Sequence, residues 1–248
     1  MFKHVLVEMG RRDTFRLVGI ALVAAISPVP LLAQGAAPLK IGIIGAGREG
    51  STLGTLWAKT GHQVMFSSRH PDELKNLVDG IGPAAQAGTV EQAVAFGDVV
   101  AIVVPYSAMQ QIGKDYGPAL ATKKLVFDVS NPIPRRDGED LVKSVADQGG
   151  AALATAKILP GAKIVRAFNA IGYTQLAADA HRPNDPIGVP IAGDDANAIA
   201  TASSLIKEIG FEPVLIGGLA MGKYLVPGTP LAGAHTPAEI KQIVTTLN

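Results

Sequence analysis

Short runs in which almost every position is apolar alternate along this chain with stretches in which apolar residues return every three or four positions. Asp98–Val104 is a run of the first kind, and Leu39–Ile44, His62–Ser67, Lys124–Asp128, Lys163–Phe168, Gly188–Ala192 and Phe211–Ile216 are shorter, partly polar runs that also read as strands. Continuous apolar runs of that length suit parallel strands covered on both faces. Helical periodicity fills the gaps over Arg48–Lys59, Val90–Phe96, Met109–Leu120, Asp137–Gln148 and Asp195–Ile209. Thr89 is placed to cap the second of these, and Gly113 and Gly117 weaken the third. A short helix is expected over Pro71–Val78, with Pro71 in its first turn, and a short strand over Ala85–Ala87. Thr236-Pro237-Ala-Glu239 reads as the capped start of a last helix. Strands and helices in this alternation predict an α/β fold with a doubly wound, mostly parallel sheet.

The first strand runs into Gly45-Ala46-Gly47-Arg48-Glu49-Gly50, a Gly-x-Gly-x-x-Gly turn opening a helix. Gly45 permits the tight turn, Gly47 lets backbone approach a pyrophosphate, and Gly50 lets helix and strand pack closely. The helix N-terminus then presents free N–H groups and its positive dipole end to the phosphates. This strand–loop–helix context predicts a Rossmann fold. Glu49 departs from the pattern, because an apolar residue usually packs before the third glycine. It is expected to point outward or to mark a shifted helix start.

The second strand decides between cofactors. Sites for NAD place an acidic residue there, about 20 residues beyond the loop, to hold the ribose hydroxyls. This chain instead has Ser67-Ser68-Arg69-His70. Hydroxyls, a guanidinium and a further ring donor suit the 2′-phosphate of NADP, which a carboxylate would repel. The expected cofactor is therefore NADP(H).

Ligands of open α/β sheets bind beyond the carboxyl ends of the strands. Val104-Pro105-Tyr106, Asn131-Pro132 and Phe168-Asn169-Ala170 occupy three such ends. Val104, Pro105, Tyr106 and Asn131 are read as cofactor neighbours. Pro132, Phe168, Asn169, Ala170 and Met221 are read as substrate-side candidates, with Tyr106 or Phe168 available to stack on a flat ring. Five histidines are scattered without metal-ligand spacing, and no carboxylate cluster suggests a metal. No acid/base set stands out. Reduction of a ketone or imine wants a placed proton donor, whereas hydride exchange between two flat redox rings needs mainly stacking and orientation.

Bulk properties narrow the picture further. The chain has 248 residues, a formal net charge of +1 and no cysteine. The charge offers no nucleic-acid footprint, and the lack of cysteine excludes disulfides, thiolate metal sites and a cysteine nucleophile. Residues 1–37 read as a signal peptide and leader. Arg11, Arg12 and Arg16 precede apolar Leu17–Ile26, and small residues follow near Ala33 and Gly35. The apolar stretch is short for a span. Arg11-Arg12 resembles a twin-arginine signal, so an exported, periplasmic protein is expected, with an uncleaved membrane anchor as the alternative. Residues 38–248 form the NADP-binding domain, with 38–155 as the dinucleotide-binding core and 156–248 as a C-terminal α/β extension.

Ile43-Ile-Gly-Ala-Gly-Arg-Glu-Gly50, Ser67-Ser-Arg69, Val103-Val-Pro-Tyr106, Val165-Arg-Ala-Phe-Asn169, Ala192-Gly-Asp-Asp195 and Gly217-Gly-Leu219 together resemble the NADPH-dependent deazaflavin (coenzyme F-420) oxidoreductases and their bacterial relatives. The same residues are similar to the reductase domain of the STEAP metalloreductases. The resemblance covers about residues 39–231. It implies NADP(H) held by Gly45, Gly47 and Gly50 with Ser68 and Arg69 at the 2′-phosphate, and direct hydride transfer to deazaflavin or a flavin such as FMN or FAD. It also implies C-terminal strands that help enclose the acceptor. The region Gly217–Gly233 departs from those reductases. Partners are limited to a small-molecule redox acceptor, with a homodimer left open and no membrane span in the mature chain. Two alternatives stay beside this reading: an imine or hydroxyacid reductase of the pyrroline-carboxylate reductase type, and an NADP-binding module without catalysis.

Overall fold

The computed structural model describes residues 37–247. The leader and export expectations fall on residues 1–36, outside the described ones. Eight strands form one sheet: β1 (Lys40–Ile44), β2 (Gln63–Ser67), β3 (Ala85–Gly88), β4 (Val99–Ile102), β5 (Leu125–Asp128), β6 (Ile164–Arg166), β7 (Gly188–Gly193) and β8 (Glu212–Gly217). Their order is β3-β2-β1-β4-β5-β6-β7-β8. Neighbours from β3 to β6 run parallel; β7 lies antiparallel on β6, and β8 is parallel to β7. The chain reverses its winding between β1 and β4, which opens a crevice at their carboxyl ends.

Ten helices connect the strands among the described residues: α1 (Arg48–Lys59), α2 (Lys75–Ile81), α3 (Val90–Phe96), α4 (Met109–Ala121), α5 (Pro134–Asp137), α6 (Glu139–Asp147), α7 (Ala151–Ile158), α8 (Tyr173–Asp179), α9 (Ala196–Glu208) and α10 (Pro237–Val244). Local chemistry sets several of their limits. Thr89 and Thr236 each close a capping box, with Gln92 and Glu239 answering back to the cap amide. Asp195 caps α9 by accepting from the Ala198 N–H at 2.8 Å. The expected helix after Pro71 divides instead into a 3₁₀ turn over Pro71–Leu74 and then α2. The Asp137–Gln148 expectation resolves into α5 and α6, parted by Gly138 at φ 89°.

Strand alternation sends side chains to two cores. On one face Ile41, Ile43, Phe66, Phe127 and Val165 meet Leu53 and Trp57 of α1 and Leu205 of α9. Trp57 is fully buried, stacks on Phe127 at 5.6 Å between ring centroids, and donates its indole N–H to the Leu205 carbonyl at 3.1 Å. On the other face Ile44, Val100, Ile102 and Val126 meet Met109, Ile112 and Leu120 of α4 and the alanines of α7. Gly42 lets α3 lie against β1, since a Cβ there would sit 2.2 Å from the Ala93 carbonyl oxygen. No helix of the described residues is long and apolar enough to cross a membrane.

Candidate functional site

The loop between β1 and α1 stands at the crevice. Gly45 has φ 100°, and a Cβ on it would meet the Val103 carbonyl oxygen at 2.3 Å. A Cβ at Gly50 would lie 2.1 Å from the Gly45 carbonyl oxygen, so both glycines are required by the protein's own packing. Gly47 differs: nothing lies within 4 Å of the space its Cβ would fill. Gly47 also caps α1 without a side chain, leaving the first-turn amides to an outside acceptor. An open backbone approach in front of an uncapped helix start fits a pyrophosphate.

On one side of the loop lies the end of β2. Ser67 is fully buried there and donates its hydroxyl to the Ile43 carbonyl at 2.8 Å. Its side chain is therefore not presented to a phosphate, which corrects the expectation for this residue. The Ser68 hydroxyl accepts the His70 N–H at 3.1 Å, and Arg69 and His70 are exposed. Three of the four expected residues thus stand at the surface beyond β2.

On the other side a cleft of about 450 Å³ extends from Gly47–Gly50 across the ends of β4, β5 and β6. Val103, Val104 and Pro105 form one wall, Val129, Asn131 and Ile133 the next, and Phe168–Gly172 the third. Pro227, Gly228 and Ala232 close it from the C-terminal segment. That segment is tied down by the Gly233 N–H, which donates to the Ala170 carbonyl at 2.8 Å.

Several expected residues are placed differently. Tyr106 is buried away from the cleft, with its hydroxyl on the Ala151 carbonyl at 3.0 Å and on Thr155 at 3.1 Å. Burial pushes its pKa up to about 12. Phe168 lines the cleft, while its ring packs edge-on to Trp57 at 5.9 Å and beside Phe127 at 5.7 Å. Neither aromatic ring is free to stack on a ligand. Met221 packs into the cluster beneath α10, and neither it nor Pro132 is among the residues lining the cleft. Asn169 and Ala170 do line it.

Asn131 lines the cleft but spends its amide internally. It donates to the Asn169 carbonyl at 2.8 Å and accepts from Arg166 at 2.7 Å. Arg166 is wholly buried and also donates to Asp128 at 2.9 Å, the Ser130 carbonyl at 2.8 Å and the Leu225 carbonyl at 3.0 Å. Burial raises the pKa of Asp128, and the Arg166 charge opposes that rise. One guanidinium therefore links the ends of β5 and β6 to the C-terminal segment.

Arg136 was not anticipated at the site. It stands on α5 at the cleft, bonded to the Asn131 carbonyl and to Asp137 at 2.9 Å. Its signal in the sequence was the Arg135-Arg136 pair just beyond Asn131-Pro132. Glu49 neither points outward nor marks a shifted helix start. It is the second residue of α1, lines the cleft and has one carboxylate oxygen fully buried without a partner among the described residues. Burial raises its pKa to about 7, and a hydrogen bond from the Tyr173 backbone N–H partly opposes the rise. The cleft thus holds a carboxyl group with a pKa near neutrality, where no acid/base group is expected from the sequence.

Residues 40–132 match the family described as NADP oxidoreductase, coenzyme F420-dependent. The chain is 30% identical over 187 residues to the metalloreductase STEAP3 of Rattus norvegicus, covering 74% of this chain and 35% of that protein. It is 22% identical over 205 residues to a glycerol-3-phosphate dehydrogenase [NAD(P)+] of Staphylococcus saprophyticus, covering 69% of this chain and 62% of that one. The chain therefore spans about a third of the first relative's length and less than two thirds of the second's. Among solved structures, a hypothetical protein of Sinorhizobium meliloti superposes with a TM-score of 0.65 at 29% identity, over 79% of this chain and 93% of that one. An Arthrobacter protein assigned by inference as an F420-dependent NADP-reductase shares the fold, with a TM-score of 0.66 at 19% identity over 79% and 97% of the two chains.

The sheet order and the glycine loop define the fold as a Rossmann-type dinucleotide-binding fold, which the two solved structures share. Within that fold, residues 40–132 are similar to the NADP oxidoreductase, coenzyme F420-dependent, family.

Proposed function

We propose that the protein moves a hydride between NADPH and a planar redox acceptor, a flavin, deazaflavin or similar ring, seated in the cleft beside the glycine loop. The observation that carries this reading is the make-up of the cleft walls. They are mostly backbone, proline and aliphatic side chains, with Asn131, Asn169 and Phe168 among them; their ionisable groups are Arg48, Glu49 and Arg136, with no histidine, lysine or tyrosine. Such walls orient a flat ring and exclude water, which is most of what hydride exchange between two rings requires. In this reading the first-turn amides of α1 hold the pyrophosphate, and Ser68 and Arg69 hold the 2′-phosphate. NADPH supplies the hydride when bound.

The second reading is an imine or hydroxyacid reductase, for which Glu49 is the cleft's candidate proton donor. The test follows NADPH or NADH at 340 nm with deazaflavin, FMN, FAD, an imine and a ferric chelate as acceptors. The chelate is included because the rat relative is named a metalloreductase. Oxidation of NADPH by a flavin or deazaflavin supports the proposal. Turnover with the imine alone would refute it, and binding without any turnover would leave a nucleotide-binding module. Export through a twin-arginine-like leader belongs to the same proposal, and recovery of the protein only from the cytoplasmic fraction would overturn that part.

A further inference from the structure

Glu49 is the group in this fold that the proposed reaction leaves without a task. The adenosine half of a dinucleotide lies toward β2, where the 2′-phosphate residues stand. The cleft lies on the opposite side of the glycine loop and so receives the nicotinamide half. Glu49 faces that half from the first turn of α1, at the position where an apolar side chain ordinarily packs.

We propose that Glu49 discriminates the two redox states of the cofactor, binding NADP⁺ with its carboxyl ionised and NADPH with its carboxyl protonated. This rests on the cofactor reading above. The nicotinamide ring is cationic in NADP⁺ and neutral in NADPH. A buried carboxylate lacking a partner for one oxygen is stabilised by a cation beside it; beside a neutral ring it is better neutral. Its pKa of about 7 makes both forms accessible near neutral pH.

The surroundings of Glu49 leave this task to it. On its own helix, Arg48 turns to the Tyr173 hydroxyl at 3.2 Å and lies 5.5 Å from that ring. From α8, Tyr173 offers its backbone N–H. Across the cleft, Arg136 is engaged by Asp137 and the Asn131 carbonyl. The walls at Val103–Pro105 and Phe168–Gly172, and the closing residues Pro227, Gly228 and Ala232, bring no charged side chain into the lining.

The test measures Kd for NADP⁺ and for NADPH with the full chain between pH 6 and 9, by calorimetry in two buffers of different ionisation enthalpy. The 2′-phosphate and pyrophosphate are common to both nucleotides, so their own protonation and repulsion cancel from the ratio of the two constants. The ratio Kd(NADPH)/Kd(NADP⁺) is expected to rise at least about tenfold across this range, with a ceiling of about 100-fold per two pH units for complete discrimination. The wild type is also expected to release more protons on binding NADP⁺ than on binding NADPH near pH 7, a result that needs no variant. In Glu49→Gln the ratio should stay flat. A pH-independent ratio in the wild type, or the same slope in Glu49→Gln, would overturn the inference while leaving the cofactor reading intact. Failure of either nucleotide to bind at any pH would overturn both.

Discussion

Replacing Arg166 with methionine removes the charge at the centre of the buried network while keeping most of the volume. Four hydrogen bonds go with it, to Asp128, the Ser130 carbonyl, Asn131 and the Leu225 carbonyl. Asp128 keeps only the Thr155 hydroxyl at 3.0 Å and the Ser130 N–H at 3.0 Å, and it is fully buried. Breaking such a pair from one side costs about 3–5 kcal/mol, because a buried charge is left without its counter-charge. For a protein of this size that corresponds to a fall in Tm of about 6–20 °C. The pH dependence follows from Asp128. Burial already holds its folded pKa above the unfolded value. Without Arg166 the rise is unopposed, so the folded variant binds its proton over a wider range than the unfolded chain does. Stability of the variant then falls as pH rises through that range. Urea unfolding at pH 5 and pH 8 should show the smaller cost in acid and the full cost at pH 8. Adding Asp128→Asn should recover a large share of it at pH 8. A cost below about 1 kcal/mol at pH 8, or one equal at both pH values, would refute the argument that the pair is buried and charged.

Three further outcomes can be checked. Gly47→Ala should melt within about 0.5 kcal/mol of wild type, because its Cβ enters open space, yet lose nucleotide affinity; Gly50→Ala should lose stability and affinity together, because its Cβ collides with the Gly45 carbonyl. Equal stability for the two variants in a thermal melt would contradict this division. Trp57→Ala should cost about 3–5 kcal/mol in denaturant unfolding through lost burial and cavity formation, and the lost indole bond to Leu205 adds to it. Arg69→Ala should weaken NADPH binding and spare NADH; equal weakening of both in a titration would assign Arg69 a structural role.

Much of this architecture was legible because strand and helix periods differ. α1 begins and ends where the pattern places it, and the Thr89 and Thr236 caps act as their spacing implies. The apolar run Asp98–Val104 overruns β4 at both ends: Asp98 precedes the strand, and Val103 and Val104 leave the sheet to wall the cleft. The reversed direction of β7 was hidden, because a continuous apolar run reads the same either way. α8 was missed because it buries little: Leu176 is its buried residue, too small a stripe to show a helical period. At the site, residue types at strand ends were readable but side-chain directions were not. Tyr106 and Phe168 look alike as ring platforms in sequence, yet both turn into cores, and Ser67 turns its hydroxyl to a neighbouring strand. Glu49 was visible as a misfit before it was visible as a cleft residue.

Phe168 adopts φ 65°, a left-handed conformation that costs a residue with a side chain about 1–2 kcal/mol. Its ring, held between Trp57 and Phe127, offsets that cost and fastens the start of the Asn169–Gly172 wall to the interior. Ordering of that wall, at about 1–2 kcal/mol per residue of backbone entropy, is met during folding rather than at binding. A ligand entering the cleft therefore meets a preorganised floor and keeps more of its contact energy as affinity. The same anchorage makes the floor a poor place to change what the cleft accepts, because altering it disturbs the core. Pro227, Gly228 and Ala232, which close the cleft from the C-terminal segment, are where a new acceptor shape is most cheaply accommodated.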